Sequence, residues 1–299
     1  MSTASPRGAP RPLRVGLSTC PNDTFLFHGL LTGAVDTAGL ALEFVLGDVQ
    51  ELNEALADGQ LDVSKASFAT ALELADRYGV LPVGSALGFG VGPVLLGRPE
   101  VTEQDLPPRR LLLPGAGTTA ALLLRCLHPE WFPPRAGGTP TGRAPAAPAV
   151  AHVRFDRIMP ALAAGEADAG VCIHEGRFTY AESGLVLLED LGASWEAVTG
   201  SPVPLGGLLA RLDLAYEFGA DVHARLTAVL SASLAIARAD PAATLPTMRA
   251  HAQELSDDVI RQHVELYVND HTVDLGEVGR TCLDELARRA GAPARLTLL

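Results

Sequence analysis

The sequence has few cysteines, few aromatic residues and no long apolar run. Its four cysteines are scattered without a C-x-x-C pair, which argues against a disulfide framework and a zinc site; we expect buried thiols in a reducing compartment. No apolar run approaches the ~20 residues that a membrane helix needs. Because aromatic residues make up only 5% of the chain, alanine, leucine and valine must fill most of the core.

Positive charge is also scarce. Phosphate binding needs clustered lysine and arginine, so a formal net charge of −12 argues against a nucleic-acid partner and against docking on an anionic membrane. We predict neither nucleic-acid binding nor stable membrane association. Residues 1–12 contain Pro, Gly and Ser without an apolar core, which predicts a disordered tail and not a secretory signal. The expected location is the cytoplasm.

Strand and helix patterns alternate from Leu13 onward, which predicts an α/β protein with largely parallel sheets. Asp48 opens a helix with Glu51 three residues later, a capping arrangement, and Gly59 ends it. Helix is also predicted for 67–78 and 118–127, and the last third of the chain is predicted to be helical. Strands are predicted at 13–18, 41–46, 61–66, 80–86, 110–113, 151–155, 169–173 and 185–190.

Two internal sequence similarities favour a pair of similar lobes. Residues 55–67 resemble 161–173, and STCPNDTFLF resembles LPGAGTTAALLL, in the same order in both halves. The segments GPVLLGR and LGGLLAR share a glycine, an apolar run and an arginine, and we expect them to be antiparallel strands that form a hinge. One lobe would then comprise 13–97 and 206–299, and the other 98–205, with a Pro/Gly-rich insertion at about 129–150.

Ligands of open parallel sheets bind at the carboxyl ends of the strands. Those ends carry polar clusters from both predicted lobes, at 18–24, 65–67, 114–119 and 174–180. Asn22 lies in the first of these clusters. Lys65 could polarise a carbonyl or extend to solvent. Thr118 and Thr119, at a helix start, could hold a carboxylate or phosphate, or serve only as caps.

The segment VCIHEGRFTY follows a buried strand and begins the last cluster. Imidazole titrates near neutral pH, so His174 is a candidate base, although a lone histidine is more often structural. Arg177 could hold a substrate oxygen or pair with an acidic neighbour. The chain has no convincing nucleotide motif, and no H-x-x-x-H pattern or carboxylate cluster indicates a metal.

Several segments closely resemble the 1,4-dihydroxy-6-naphthoate synthase family of the futalosine route to menaquinone. They are CPNDTFLF (20–27), SFATALELADRY (67–78), ALGFGVGP (86–93), TTA (118–120), VCIHEGRFTY (171–180) and MRAHAQELSDDVIRQHVELYVN (248–269). The resemblance runs in order from Leu13 to past Asn269 and spares the insertion. Thr19 departs from it, since proline is common there.

This resemblance implies a two-lobed fold like that of periplasmic binding proteins (type II), used as a cytoplasmic carbon–carbon lyase. The family converts cyclic dehypoxanthinyl futalosine, which carries an aryl carboxylate, to 1,4-dihydroxy-6-naphthoate and dihydroxyacetone without a cofactor. Its general base falls on His174. Its substrate contacts fall on Ser67, Phe68, Ala69, Thr119 and Ala120, with Thr118 adjacent.

Two other functions fit the same fold. A solute-binding protein would need export, for which the N-terminal sequence gives no signal. A chorismate-dehydrating enzyme of the same pathway is the second alternative, and the CPNDTF and HE-x-RFTY motifs favour the synthase over it.

Overall fold

The computed structural model describes residues 11–132, 147–252, 256–293 and 295–299. Most of the predicted tail and insertion lies outside these ranges. The described strands are β1 Leu13–Ser18, β2 Leu42–Gly47, β3 Val63–Ser67, β4 Tyr78–Val80, β5 Ala86–Gly88, β6 Val94–Gly97, β7 Arg110–Leu113, β8 Ala149–His152, β9 Ala169–Cys172, β10 Val186–Asp190 and β11 Val203–Arg211.

The helices pack on both faces of these strands, and most of the last third of the chain is helical, as predicted. Their bounds are α1 Pro21–Leu26, α2 His28–Leu31, α3 Val49–Ala57, α4 Phe68–Glu73, α5 Thr119–Leu127, α6 Ile158–Ala163, α7 Gly176–Thr179, α8 Leu191–Thr199, α9 Leu214–Phe218, α10 Val222–Ala239, α11 Pro241–His251, α12 Asp257–Tyr267, α13 Asp270–Val273 and α14 Gly276–Ala290. Every described helix is too short or too polar to cross a bilayer.

The strands form two sheets, each with helices on its faces. The first runs β2-β1-β3-β11-β4, and β5 also pairs with β11; the second runs β10-β6-β9-β7-β8. Each sheet is mixed: β2-β1-β3 and β9-β7-β8 are parallel, while β11 in the first sheet and β6 in the second are antiparallel to their neighbours. The predicted parallel arrangement therefore covers only the βαβ part of each lobe.

The connection between the two sheets differs from the prediction. The segments GPVLLGR and LGGLLAR do not pair with each other, because β6 lies between β9 and β10 whereas β11 lies between β3 and β4. The two segments share a glycine, an apolar run and an arginine because each is a buried strand of its own sheet. The strands that pair at the crossing are β5 and β11, with Val203 opposite Gly88. We accordingly propose that 13–92 with 203–299 form lobe 1 and 93–200 form lobe 2.

Local signals explain where several elements begin and end. The Asp48 side chain accepts from the N–H of Gln50, and Glu51 accepts from the N–H of Asp48, so the predicted capping box of α3 is confirmed. Such a cap stabilises a helix by about 0.5–2 kcal/mol. The predicted strand 80–86 is wrong: Pro82 has no N–H to donate and Gly84 has a φ of +89°, so a turn separates β4 from β5. The helix predicted at 67–78 ends at Glu73 because Tyr78 joins β4.

An ion pair between His128, which follows α5, and Glu189 in β10 is expected to make the stability of lobe 2 depend on pH. The Glu189 carboxylate lies 2.7 Å from Nε2 of His128 and raises the pKa of His128 above its ordinary 6.5. Burial opposes ionisation of Glu189, yet its hydrogen bonds with His128 and Ser194 lower its pKa overall. The pKa of His128 is higher in the folded than in the unfolded state. The contribution of this ion pair to the free energy of unfolding is therefore complete below pH 6.5 and is lost as the pH rises through the raised pKa.

We expect the His128→Gln variant to lose this dependence. The free energy of unfolding of the unmodified protein should fall, relative to that of the variant, as the pH rises above 6.5 and through the raised pKa, because only the unmodified protein releases the proton of His128. Urea titrations at several pH values measure the difference. His251→Gln, which changes a histidine in a helix of lobe 1, is the matched control and should follow the unmodified protein. Parallel curves for all three proteins would contradict the role of the pair.

Candidate functional site

A cavity lies between the two lobes, where the carboxyl ends of β1, β3 and β9 meet the start of α5 and one face of α12. Polar side chains from both lobes converge on it, interspersed with small and apolar residues. The residues of its wall are Ser18, Asn22, Asp23, Val49, Lys65, Ala66, Ser67, Ala86, Gly92, Pro93, Thr118, Thr119, Ala120, Ile173, His174, Leu205, Gly206, His263 and Tyr267.

His174 occupies a sharp turn of lobe 2. Strand β9 ends at Cys172 and helix α7 begins at Gly176, so the chain must reverse within three residues. His174 has a φ of +55°, which lies in the left-handed region. A residue other than glycine adopts this backbone conformation at a conformational cost of about 1–3 kcal/mol. Strain of this kind concentrates at functional sites, and here it places an imidazole on the cavity wall.

The ring of His174 lies beside three side chains from distant parts of the chain. The Sγ atom of Cys20 lies 3.4 Å from its Nδ1 atom, Phe155 meets it edge-on at 4.9 Å between centroids, and His263 stacks on it at 6.2 Å. Burial raises the pKa of the Cys20 thiol well above its ordinary value, so this group remains an uncharged hydrogen-bonding partner. Among the described residues, the hydrogen-bond partner of this imidazole is the Cys20 thiol and not a carboxylate.

A buried ion pair joins β3 to α1 at the lobe 1 side of the cavity. Nζ of Lys65 lies 2.7 Å from Oδ1 of Asp23 and 3.1 Å from the carbonyl oxygen of Gly84. The Ser18 hydroxyl donates to Oδ2 of Asp23 at 2.6 Å, and the Asn22 amide donates to Oδ1 at 3.0 Å. Asp23 thus neutralises Lys65 and fixes its ammonium group, and within the described ranges no acceptor takes its third N–H, which can serve a ligand oxygen.

The start of α5 forms part of the cavity wall on the lobe 2 side. The Thr118 hydroxyl caps the helix by accepting from the N–H of Ala121. The Thr119 hydroxyl has no proton left to donate to a ligand, because it donates to the carbonyl of Leu205 at 2.6 Å; it also accepts from the N–H of Ala69 at 3.2 Å. In the first turn of a helix the backbone N–H groups have no intrahelical acceptor, and they favour an anion.

Hydrogen bonds across the cleft hold the lobes together beside this helix start. The Gly117 carbonyl accepts from the hydroxyl of Thr70 at 2.9 Å and from the amide of Asn53 at 3.4 Å, and the Gly117 N–H donates to Gln50 at 3.2 Å. A Cβ atom at Gly115 would lie 2.3 Å from Oε1 of Gln50, and φ there is +146°. The Gln50 side chain could move aside, but L side chains rarely adopt a φ of +146°, so the backbone of this loop requires glycine at Gly115.

Seven of the ten residues predicted from the sequence line this cavity: Asn22, Lys65, Ser67, Thr118, Thr119, Ala120 and His174. The other three lie outside its wall. Phe68 is fully buried in the hydrophobic core, and Ala69 contributes its N–H to Thr119. Arg177 binds Asp190 and the Gly92 carbonyl instead of facing the cavity, so of its two predicted roles the structure favours pairing with an acidic neighbour.

The sequence interpretation missed three residues of the site. His263 and Tyr267 are spaced four apart on one buried face of α12, a periodicity that predicts a face of a helix but not the distant partner it packs against. Cys20 was interpreted only as a buried thiol. None of the four cysteines, all within the described ranges, forms a disulfide. Among the described residues, no three His, Cys, Asp or Glu side chains converge as a metal site requires.

Two lobes of α/β structure that enclose a polar cavity define the periplasmic-binding-protein-like fold. Solved structures support this: the chain is similar to the alkanesulfonate-binding protein SsuA from Xanthomonas axonopodis pv. citri, with 18% identity, a TM-score of 0.65 and coverage of 98% and 99% of the two chains. It is also similar to protein AF1704 from Archaeoglobus fulgidus, with 29% identity, a TM-score of 0.82 and coverage of 94% and 97%.

Comparison of the sequence with known families identifies the family of the chain within this fold. A family model described as menaquinone biosynthesis matches residues 13–292, and the chain belongs to this family. Over 280 residues it is 44% identical to the 1,4-dihydroxy-6-naphtoate synthase of Thermus thermophilus (94% of each protein) and 40% identical to that of Streptomyces coelicolor (94% of this chain, 93% of the relative). The family resemblance predicted from the motifs is thereby confirmed.

Proposed function

We propose that this protein is a lyase of menaquinone biosynthesis that converts cyclic dehypoxanthinyl futalosine to 1,4-dihydroxy-6-naphthoate and dihydroxyacetone. The observation that carries the proposal is the placement of His174, strained and partly buried against Cys20, on the wall of the same cavity as the start of α5. The two relatives with the same activity support it. The substrate is a small molecule, and as a step in metabolite synthesis the reaction belongs in the cytoplasm.

The aryl carboxylate of the substrate binds at the start of α5. The N–H groups of Thr119 and Ala120 are the donors, since the Thr119 hydroxyl is already bonded to Leu205 and Ala69. The helix dipole adds to this attraction. Of the two donors that Thr119 could offer the carboxylate, its hydroxyl and its N–H, the N–H is therefore the one proposed.

His174 then acts as the general base. It removes the proton of a substrate hydroxyl, the oxygen's electron pair forms a carbonyl, and the adjacent carbon–carbon bond breaks in a retro-aldol step. The electron pair of that bond enters the ring, which becomes an aromatic naphtholate and takes up a proton on oxygen. The third N–H of Lys65 stabilises the developing negative charge on the ring oxygen. The steps transfer protons and no net electrons, so they call for no redox cofactor.

A pair of Thr119 variants tests the carboxylate contact. Thr118 has the extended backbone conformation that precedes proline (ψ 145°), and position 119 is the first of the helix, where proline is tolerated. Thr119→Pro removes the hydroxyl and the N–H, whereas Thr119→Val removes only the hydroxyl. We expect Thr119→Pro to bind 1,4-dihydroxy-6-naphthoate about 10-fold or more weakly than Thr119→Val, because a hydrogen bond to a charged group contributes about 1.5–3 kcal/mol. Calorimetry measures both Kd values, and equal values would contradict this pose.

The proposed activity is tested with the purified protein and cyclic dehypoxanthinyl futalosine. Chromatography should show the naphthoate and dihydroxyacetone appearing in equal amounts. Product formation from chorismate instead would support the dehydratase alternative. Tight binding of a small metabolite without any turnover would support a solute-binding protein, the function of the more distant structural neighbour SsuA.

A further inference from the structure

The hydrogen bonds around Asp23 determine how the Asn22 amide is oriented. The carboxylate of Asp23 can only accept, so the Asn22 atom 3.0 Å from its Oδ1 is the amide nitrogen. The amide oxygen of Asn22 therefore faces His263, 3.0 Å from its Nε2 atom. This oxygen is an acceptor, and it fixes the proton of the imidazole on Nε2.

The second ring nitrogen of His263 is then an acceptor without a partner. The ring is 1% exposed, and burial together with the nearby Lys65 and His174 lowers the pKa of His263 well below 6.5, so the ring is neutral. With the proton on Nε2, Nδ1 carries a lone pair. Within the described ranges no protein donor reaches Nδ1. A buried acceptor left unpaired costs about 1–3 kcal/mol, which a ligand donor would recover.

The position of the ring indicates which ligand group this donor is. His263 lines the cavity and stacks on His174 at 6.2 Å, so it lies beside the group proposed as the base and not in the α5 turn proposed for the carboxylate. On the proposed function, the part of the substrate next to the base leaves as dihydroxyacetone and carries hydroxyl groups. We infer that Nδ1 of His263 accepts a hydrogen bond from a substrate hydroxyl on this three-carbon part, and so selects a hydroxylated substrate.

Three variants separate the two ring nitrogens. His263→Gln can keep a donor to Asn22 and loses the acceptor at Nδ1. His263→Asn can place an amide oxygen near Nδ1 and loses the donor to Asn22. His263→Phe keeps a ring and loses both. The reference ligand is 1,4-dihydroxy-6-naphthoate, which lacks the three-carbon part.

The measurement is kcat/KM for cyclic dehypoxanthinyl futalosine beside the Kd of the naphthoate. We expect His263→Gln and His263→Phe to lose about 10- to 100-fold in kcat/KM, with the naphthoate Kd within about threefold of the unmodified value, and His263→Asn to retain more activity than either. Unchanged kcat/KM in His263→Gln, or an equal loss of naphthoate binding, would overturn the inference.

The unmodified protein distinguishes the two proposals. If it turns over the substrate and His263→Gln is as active, only the His263 inference fails. If the unmodified protein forms no product, the proposed function fails. The assignment of the hydroxyl to this substrate then fails as well. A circular dichroism spectrum and an unfolding curve for each variant identify any loss that comes from misfolding.

Discussion

The His174→Asn variant is expected to bind 1,4-dihydroxy-6-naphthoate normally while its kcat falls by about 10²–10⁴-fold. Removal of a general base costs this much because no other group takes the proton at the same rate. Neighbouring Cys20 cannot replace it, since burial raises the pKa of its thiol well above the ordinary value. Single-turnover kinetics measure the chemical step, and calorimetry measures the Kd of the product.

Asparagine is the informative replacement because of the backbone at this position. It tolerates the left-handed region better than alanine, so at φ +55° His174→Asn should be more stable than His174→Ala by roughly 1 kcal/mol. A parallel His271→Asn variant, in α13, controls for the loss of a histidine elsewhere. Turnover by His174→Asn at the unmodified rate would refute the assignment of the base.

The Lys65→Met variant is expected to lower the free energy of unfolding by about 3–5 kcal/mol, because it leaves a buried carboxylate without its cation. The side chains of Lys65 and Asp23 are only 8% and 5% exposed, so water cannot replace the lost partner. The Ser18 and Asn22 hydrogen bonds remain and keep the loss within this range. Urea denaturation of the purified variant measures it.

A double variant separates the charge effect from the loss of packing. Asp23→Asn with Lys65→Met removes both charges, and it should be more stable than Lys65→Met alone. If the single and double variants were equally stable, the loss would come from packing and not from the unpaired carboxylate. Neither is expected to turn over substrate well, since Lys65 is proposed to stabilise the ring oxygen.

Features that local chemistry decides could be predicted from the sequence. The strand at Leu13–Ser18, the capping box of Asp48 and Glu51 and the helix that follows Thr118 each depend on residues within one turn or one strand, and all three are confirmed. The residues alone made His174 a candidate, and the motif resemblance added its role as the base, because its neighbours in sequence do not by themselves distinguish a base from a structural histidine.

Features that depend on distant partners could not be predicted. The place of β11 between β3 and β4 is set by strands more than a hundred residues earlier, and a glycine–apolar–arginine pattern fits either sheet. Arg177 could face a substrate or a carboxylate until the fold brings Asp190 to it. His263 lies 241 residues from Asn22, so nothing near it in sequence indicates that one of its nitrogens is occupied and the other is not.

The central place of β11 has a consequence for the order in which a ribosome-bound chain can fold. The strands of the second sheet are complete at Asp190, before β11 has been synthesised. The first sheet cannot join β3 to β4 until Val203–Arg211 has been made, and its helical cover follows later still. Lobe 2 is thus the first unit able to fold during synthesis, while the earlier-made half of lobe 1 must wait with its strand edges exposed.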